Sequence, residues 1–194
     1  KLHLYIVITR TNTVLSKIIQ WSKNDDYTHA AISLDIDLNS MYSFGRKYTY
    51  NPFVGKFKRE TFDQGAYKFS ETLPGVIMEV EVTEQQYEKV RTLLKHFIAN
   101  KEFYKYNYKG LLYGLFNKKS CRDDRFSCSE FVYYLLYEAG IVDFKISRNL
   151  VRPQNFLCIK GRILYKGDLK AIKFENYNRN TKAVDTKGLS VIYE

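Results

Sequence analysis

Disulfide chemistry has little to work with in this chain. Its three cysteines, Cys121, Cys128 and Cys158, are spread over 194 residues. An odd and small number cannot build a disulfide framework. No CxxC pair or His/Cys cluster marks a metal site, so neither a metal nor another cofactor is expected. No apolar run approaches the ~20 residues needed to span a bilayer, so no transmembrane segment is expected. No secretory leader is legible, which favours the cytoplasm. Lys1 is not an initiator Met, however, so a removed segment stays open. Internal repeats, low-complexity tracts, basic arms and basic helices are also missing.

Negative charge is the scarcer sign. Asp and Glu number 21 against 31 Lys and Arg, a formal net charge of +10. That balance draws anionic partners: nucleic acid, acidic lipid headgroups or an anionic polymer. The basic residues are scattered and no recognition motif accompanies them, so specific nucleic-acid binding is not expected. An ordinary solvated basic surface is the plain alternative to an anionic surface or polymer as partner. Apolar residues make up 45% of the chain, with 17 Tyr and 13 Phe. Such a composition supports a packed core and a sheet, and the length suits a single domain over residues 1–194.

The most informative stretch is Ser127-Cys128-Ser129-Glu130. Ser127 and Glu130 form the S-x-x-E pattern of a capping box before an apolar-periodic run that ends at Gly140. Cys128 is then the first residue of a helix. The free N–H groups and positive dipole end there favour a thiolate, and the same groups can stabilise an oxyanion beside the sulfur. The competing reading is a cysteine acting as a small buried hydrophobe. The charged entry, Arg122 to Ser127, argues against it.

A thiol nucleophile needs a base, and histidines number three. His96 lies in an amphipathic helix and His3 is near the first residue. His29 opens an alternating segment, residues 29–36. In a strand, Ala30, Ile32, Leu34 and Ile36 face a core, while His29, Ala31, Ser33 and Asp35 form a small polar face. A surface strand histidine is the competing reading.

Together, residues 27–34 (YTHAAISL) and 126–132 (FSCSEFV) resemble the circularly permuted NlpC-type papain-like cysteine hydrolases, the YiiX-like group. The His strand precedes the Cys helix, the order of the permuted group. The resemblance spans roughly residues 2 to 160. It implies an α+β fold, a permuted papain-like antiparallel sheet or half-barrel packed against the Cys helix. It also implies a cysteine peptidase or amidase that cleaves a peptide-type amide through an acyl-enzyme. Acyl transfer, lipid-ester hydrolysis and a catalytically weak module binding an anionic ligand are the alternatives.

The resemblance further implies a third polar residue on the strand after the His strand. A three-residue hairpin loop would place Ser43 opposite Ser33, on the face of His29. Asp35 lies six residues on, ~20 Å along an extended strand, too far to serve. Arg46, following Gly45, could clamp a substrate carboxylate or phosphate, or be an ordinary solvated arginine. Gln154, in Arg152-Pro153-Gln154-Asn155-Phe156, could donate to the oxyanion or be a loop residue.

Coarse periodicity fills in the rest. Residues 2–8 read as a strand, 14–19 as a short helix, 76–82 as a strand and 83–100 as the clearest helix, capped by Thr83 and Gln86. Residues 45–75 read as loop-rich, 108–116 as helical, and short strands are expected near Phe156, Ile163, Ile172 and Val191.

Overall fold

The computed structural model describes residues 1–11, 25–46, 55–62, 67 and 70–172. The expected helix at 14–19 and the strand near Val191 lie outside them. Within them the fold is α+β, built on a six-stranded antiparallel sheet whose strands lie in the order 55–60, 41–46, 29–33, 2–9, 74–82 and 162–168.

The central strand, β1 (Leu2–Thr9), alternates. Leu4, Ile6 and Ile8 enter one buried cluster, and Tyr5 and Val7 enter a second on the opposite face. Both faces of the sheet are therefore covered, which excludes water from the strand backbones. β1 pairs with β2 (His29–Ser33) and with β5 (Pro74–Val82). β3 (Met41–Arg46) and β4 (Gly55–Glu60) extend one edge, and β6 (Arg162–Asp168) extends the other.

Three helices pack on the first cluster. Helix α1 (Glu84–Ala99) starts at the Thr83/Gln86 capping box and buries Val90, Leu94 and Phe97. The short helix α2 (Tyr108–Leu115) begins at Asn107. Helix α3 (Cys128–Glu138) starts at the Ser127/Glu130 capping box and buries Phe131, Val132, Leu135 and Leu136. It ends in a Schellman arrangement: Gly140 takes φ 65°, its N–H donates to Tyr137 O at 2.9 Å, and Ile141 N–H donates to Leu136 O at 2.9 Å. Phe44 of β3 lies between Phe57, Phe126 and Phe131, with ring centroids 5.4–5.6 Å apart. These aromatic contacts weld the β3–β4 edge to the start of α3.

Three readings need correcting. The stretch 45–75 contains β4, where only Phe57 among six residues signals an apolar face. Phe156 lies in a 3₁₀ turn, Pro153–Cys158, because Pro153 presets the φ of its first turn. Ile172 follows another 3₁₀ turn, Leu169–Ala171, and is not in a strand.

Candidate active site

Cys128 occupies the first helical position of α3. Ser127 Oγ accepts the Glu130 N–H at 3.3 Å, and Glu130 Oε2 accepts the Ser127 N–H at 2.7 Å. The reciprocal cap fixes the entry to the helix and leaves its foremost N–H groups without intrahelical partners. Asn107 donates to both oxygens of Glu130, at 2.9 and 3.2 Å, and Ser129 Oγ donates to Val151 O at 2.6 Å. The first turn is thus held on two sides. The charged entry does not expose the sulfur: Cys128 is only 6% accessible, because α3 packs on β2 and β3.

His29 opens β2 where this helix end arrives. Its backbone pairs with Thr9, and the preceding Thr28 N–H donates to Thr9 O at 2.9 Å. His29 Nε2 lies 2.8 Å from Glu60 Oε2. The Cys128 sulfur lies close enough to the imidazole to help raise its pKa. With Nε2 committed to the carboxylate, Nδ1 is the nitrogen left for the sulfur.

Glu60 is the residue that sequence reasoning missed. It ends β4, one strand beyond the β3 that was searched, and pairs with Met41. Its carboxylate is buried and fully engaged. Oε2 takes His29 and the Tyr67 hydroxyl (3.1 Å), and Oε1 pairs with Lys58 Nζ at 3.2 Å. Tyr67 also meets the imidazole edge-on, with ring centroids 5.9 Å apart. Gly45 makes the reach possible. A Cβ there would stand 2.9 Å from Glu60 Oε1 and 2.8 Å from Lys58 Cε, so any side chain would displace the pair.

The electrostatics follow from this burial. Desolvation alone would lower the His29 pKa. The Glu60 carboxylate, the Cys128 sulfur and the hydrogen bonds to both outweigh it and raise the value to about 10. Burial would raise Glu60, but the imidazole and the Lys58 ammonium bring it down to about 2. Between those limits the pair is imidazolium and carboxylate. Burial and the neighbouring Glu60 charge push the Tyr67 hydroxyl well above its ordinary range, so it stays a donor. The site therefore holds a cysteine sulfur at a helix N-terminus, a charged imidazole beside it, and a carboxylate fixing the imidazole from behind. Such a set can form and release an acyl-thioester.

The other expected residues go elsewhere. β2 and β3 pair Ser33 with Met41 and Ile32 with Tyr42, so Ser43 is not opposite Ser33. The loop is longer than three residues because Asp35 closes it, accepting the N–H of Asn39 and of Ser40, each at 2.8 Å. Ser43 Oγ donates to Ala30 O at 2.6 Å, so its role in orienting the imidazole is replaced by that of Glu60. Arg46 closes β3 opposite Gly55, and the substrate clamp expected of its side chain lies outside the described residues. The Gln154 amide donates to Asp25 Oδ1, which also accepts Arg152 Nη1 at 2.6 Å. In place of the expected oxyanion donor, Gln154 is a clasp between the lead-in to β2 and the segment after α3. Cys121 and Cys158 are exposed free thiols outside this constellation. Among the described residues no group of His, Cys, Asp and Glu could hold a metal ion, and no helix is long and apolar enough to cross a membrane.

Replacing Ser43 separates scaffold from chemistry. Ser43→Ala removes one buried hydrogen bond and should lower unfolding free energy by about 1 kcal/mol. Urea unfolding should show that loss while turnover stays near the parent value. A rate loss like that of a His29 variant would return Ser43 to the machinery.

No family model, curated protein or solved structure matches the chain.

Proposed function

We propose that the protein is a thiol hydrolase of the permuted papain-like kind, using Cys128, His29 and Glu60 to cleave an amide of peptide type. One observation carries this reading: the His29 imidazole is fixed by Glu60, 2.8 Å from its Nε2, and is acted on by the Cys128 sulfur at the start of α3. The Cys128 thiolate attacks the carbonyl carbon. The C–S bond forms and the carbonyl π electrons move to oxygen, where the first N–H groups of α3 can receive the charge. As the intermediate collapses, the C–N bond breaks and His29 delivers its proton to the departing amine. Neutral His29 then takes a proton from water. The resulting hydroxide adds to the thioester, and the acid leaves with Cys128 again a thiolate and His29 again charged. Glu60 holds the ring orientation and stabilises its charge throughout.

The case for a catalytically weak binding module rested on the want of a carboxylate beside the imidazole. Glu60 supplies one, which supports the enzyme reading. Acyl transfer to a nucleophile other than water, or attack on a lipid ester, begins with the same acylation step, and product analysis separates these outcomes.

A panel of acylating and alkylating activity-based probes, followed by peptide mapping, tests the assignment of the thiol. Cys128 should label far faster than exposed Cys121 and Cys158, despite being buried. Equal labelling of all three would remove the catalytic claim.

A further inference from the structure

Helix α2 carries its bulk on the wrong side for a helix that only packs. Lys109, Leu112, Tyr113 and Phe116 recur at i, i+3, i+4 and i+7, so they share one face. That face is exposed: Leu112 is 53% accessible, Tyr113 46% and Phe116 74%. The opposite face is docked through glycines. Gly110 is buried against Asn107, and a Cβ at Gly114 would stand 2.9 Å from Asn149 O. Small residues let the helix lie close to the 3₁₀ turn Arg148–Leu150, and Tyr108 and Leu111 pack against the core, while Leu112, Tyr113 and Phe116 stay exposed.

The charge around this face is of one sign. The twenty residues from Phe103 to Arg122 contain Lys105, Lys109, Lys118, Lys119 and Arg122 and no Asp or Glu. Arg122 is paired with Asp124. Lys109, Lys118 and Lys119 are exposed, and none takes part in an ion pair among the described residues. An apolar face with two aromatic rings, rimmed by unpaired ammonium groups, is complementary to an interface that is negative outside and apolar beneath.

We propose that α2 is the surface by which the protein lies on an anionic lipid bilayer. Leu112, Tyr113 and Phe116 enter the headgroup–acyl boundary, and the lysines contact lipid phosphates. The helix is fastened to the candidate site. Its N-cap, Asn107, donates to Glu130 in the first turn of α3, two residues from Cys128. Docking through α2 therefore holds the Cys128 helix at the membrane surface, where acyl-bearing or lipid-linked substrates reside. The binding itself requires no chemistry at Cys128, so its failure and that of the proposed hydrolase are separate results.

Co-sedimentation of the full chain with vesicles tests this. The protein should pellet with phosphatidylcholine vesicles containing phosphatidylglycerol, far less with phosphatidylcholine alone, and less as salt rises. Leu112→Ser with Phe116→Ser should weaken the partitioning roughly tenfold, as should Lys118→Glu with Lys119→Glu. Both double variants should keep parental probe labelling of Cys128, which shows that they fold. The proposal is overturned if the parent does not pellet with anionic vesicles, or if neither double variant changes the partitioning. Self-association of the parent without lipid, abolished by the Leu112/Phe116 variant, would overturn it in favour of a second copy as occupant.

Discussion

Replacing Glu60 by glutamine should lower turnover by about 10²–10⁴-fold while leaving the fold in place. The amide is nearly isosteric, so the contacts with Lys58 and Tyr67 can persist in part, but the full negative charge behind the imidazole is gone. Without it, burial governs His29, and its pKa falls from about 10. The ring then lacks the proton that the leaving amine needs. The parent should keep activity as pH rises until His29 deprotonates near 10, whereas Glu60→Gln should lose it at much lower pH. A matched pair of pH–rate profiles checks both points, and overlapping alkaline limbs would contradict the role given to Glu60.

Stability carries the same signature. His29 is raised on folding, so its contribution is full below the unfolded value of 6.5 and is lost as pH rises through about 10. Glu60 is depressed, so its contribution is full above 4.5 and is lost as pH falls through about 2. The ion pair therefore stabilises most between about pH 4.5 and 6.5. Urea midpoints of Glu60→Gln should be flatter than those of the parent on both sides of that window.

Cys128→Ala should abolish turnover, and His29→Ala should reduce it to near the same floor. Members of a nucleophile–base unit are not additive, because removing either one stops the shared step. The double variant should be no slower than Cys128→Ala. Cys128 is buried in α3 and His29 opens β2, so circular dichroism and unfolding curves belong beside the rates. An intact fold with parental turnover in either single variant would exclude the proposed chemistry.

The part of this arrangement that is local in sequence was legible. The S-x-x-E box located the start of α3 and put Cys128 first, because a reciprocal cap is satisfied within four residues. The alternation of residues 29–36 located β2, but the strand ends at Ser33 and Ile36 packs on the opposite cluster. What failed depends on pairing across strands. Asp35 caps a longer loop than the spacing suggested, which shifts the β2–β3 register and takes Ser43 away from Ser33. Glu60 was hidden because β4 reads Gly-Lys-Phe-Lys-Arg-Glu, four charged residues around one aromatic. Its carboxylate is buried by partners from β2, from β4 and from Tyr67, none of which its own segment announces as a site. One signal was present: Lys58 and Glu60 alternate with Phe57 and Arg59, placing both charges on one face. Gly45 leaves room for that carboxylate.

Trapping the acyl-enzyme tests the central claim most directly. An activated acyl ester is mixed with the protein, the reaction is quenched in acid within the first turnover, and intact mass and peptide mapping locate the acyl group. One acyl group per chain on Cys128 is the predicted result, formed slowly in Glu60→Gln and His29→Ala and absent in Cys128→Ala. Acyl groups distributed over Cys121, Cys128 and Cys158, at rates that ignore His29 and Glu60, would contradict it.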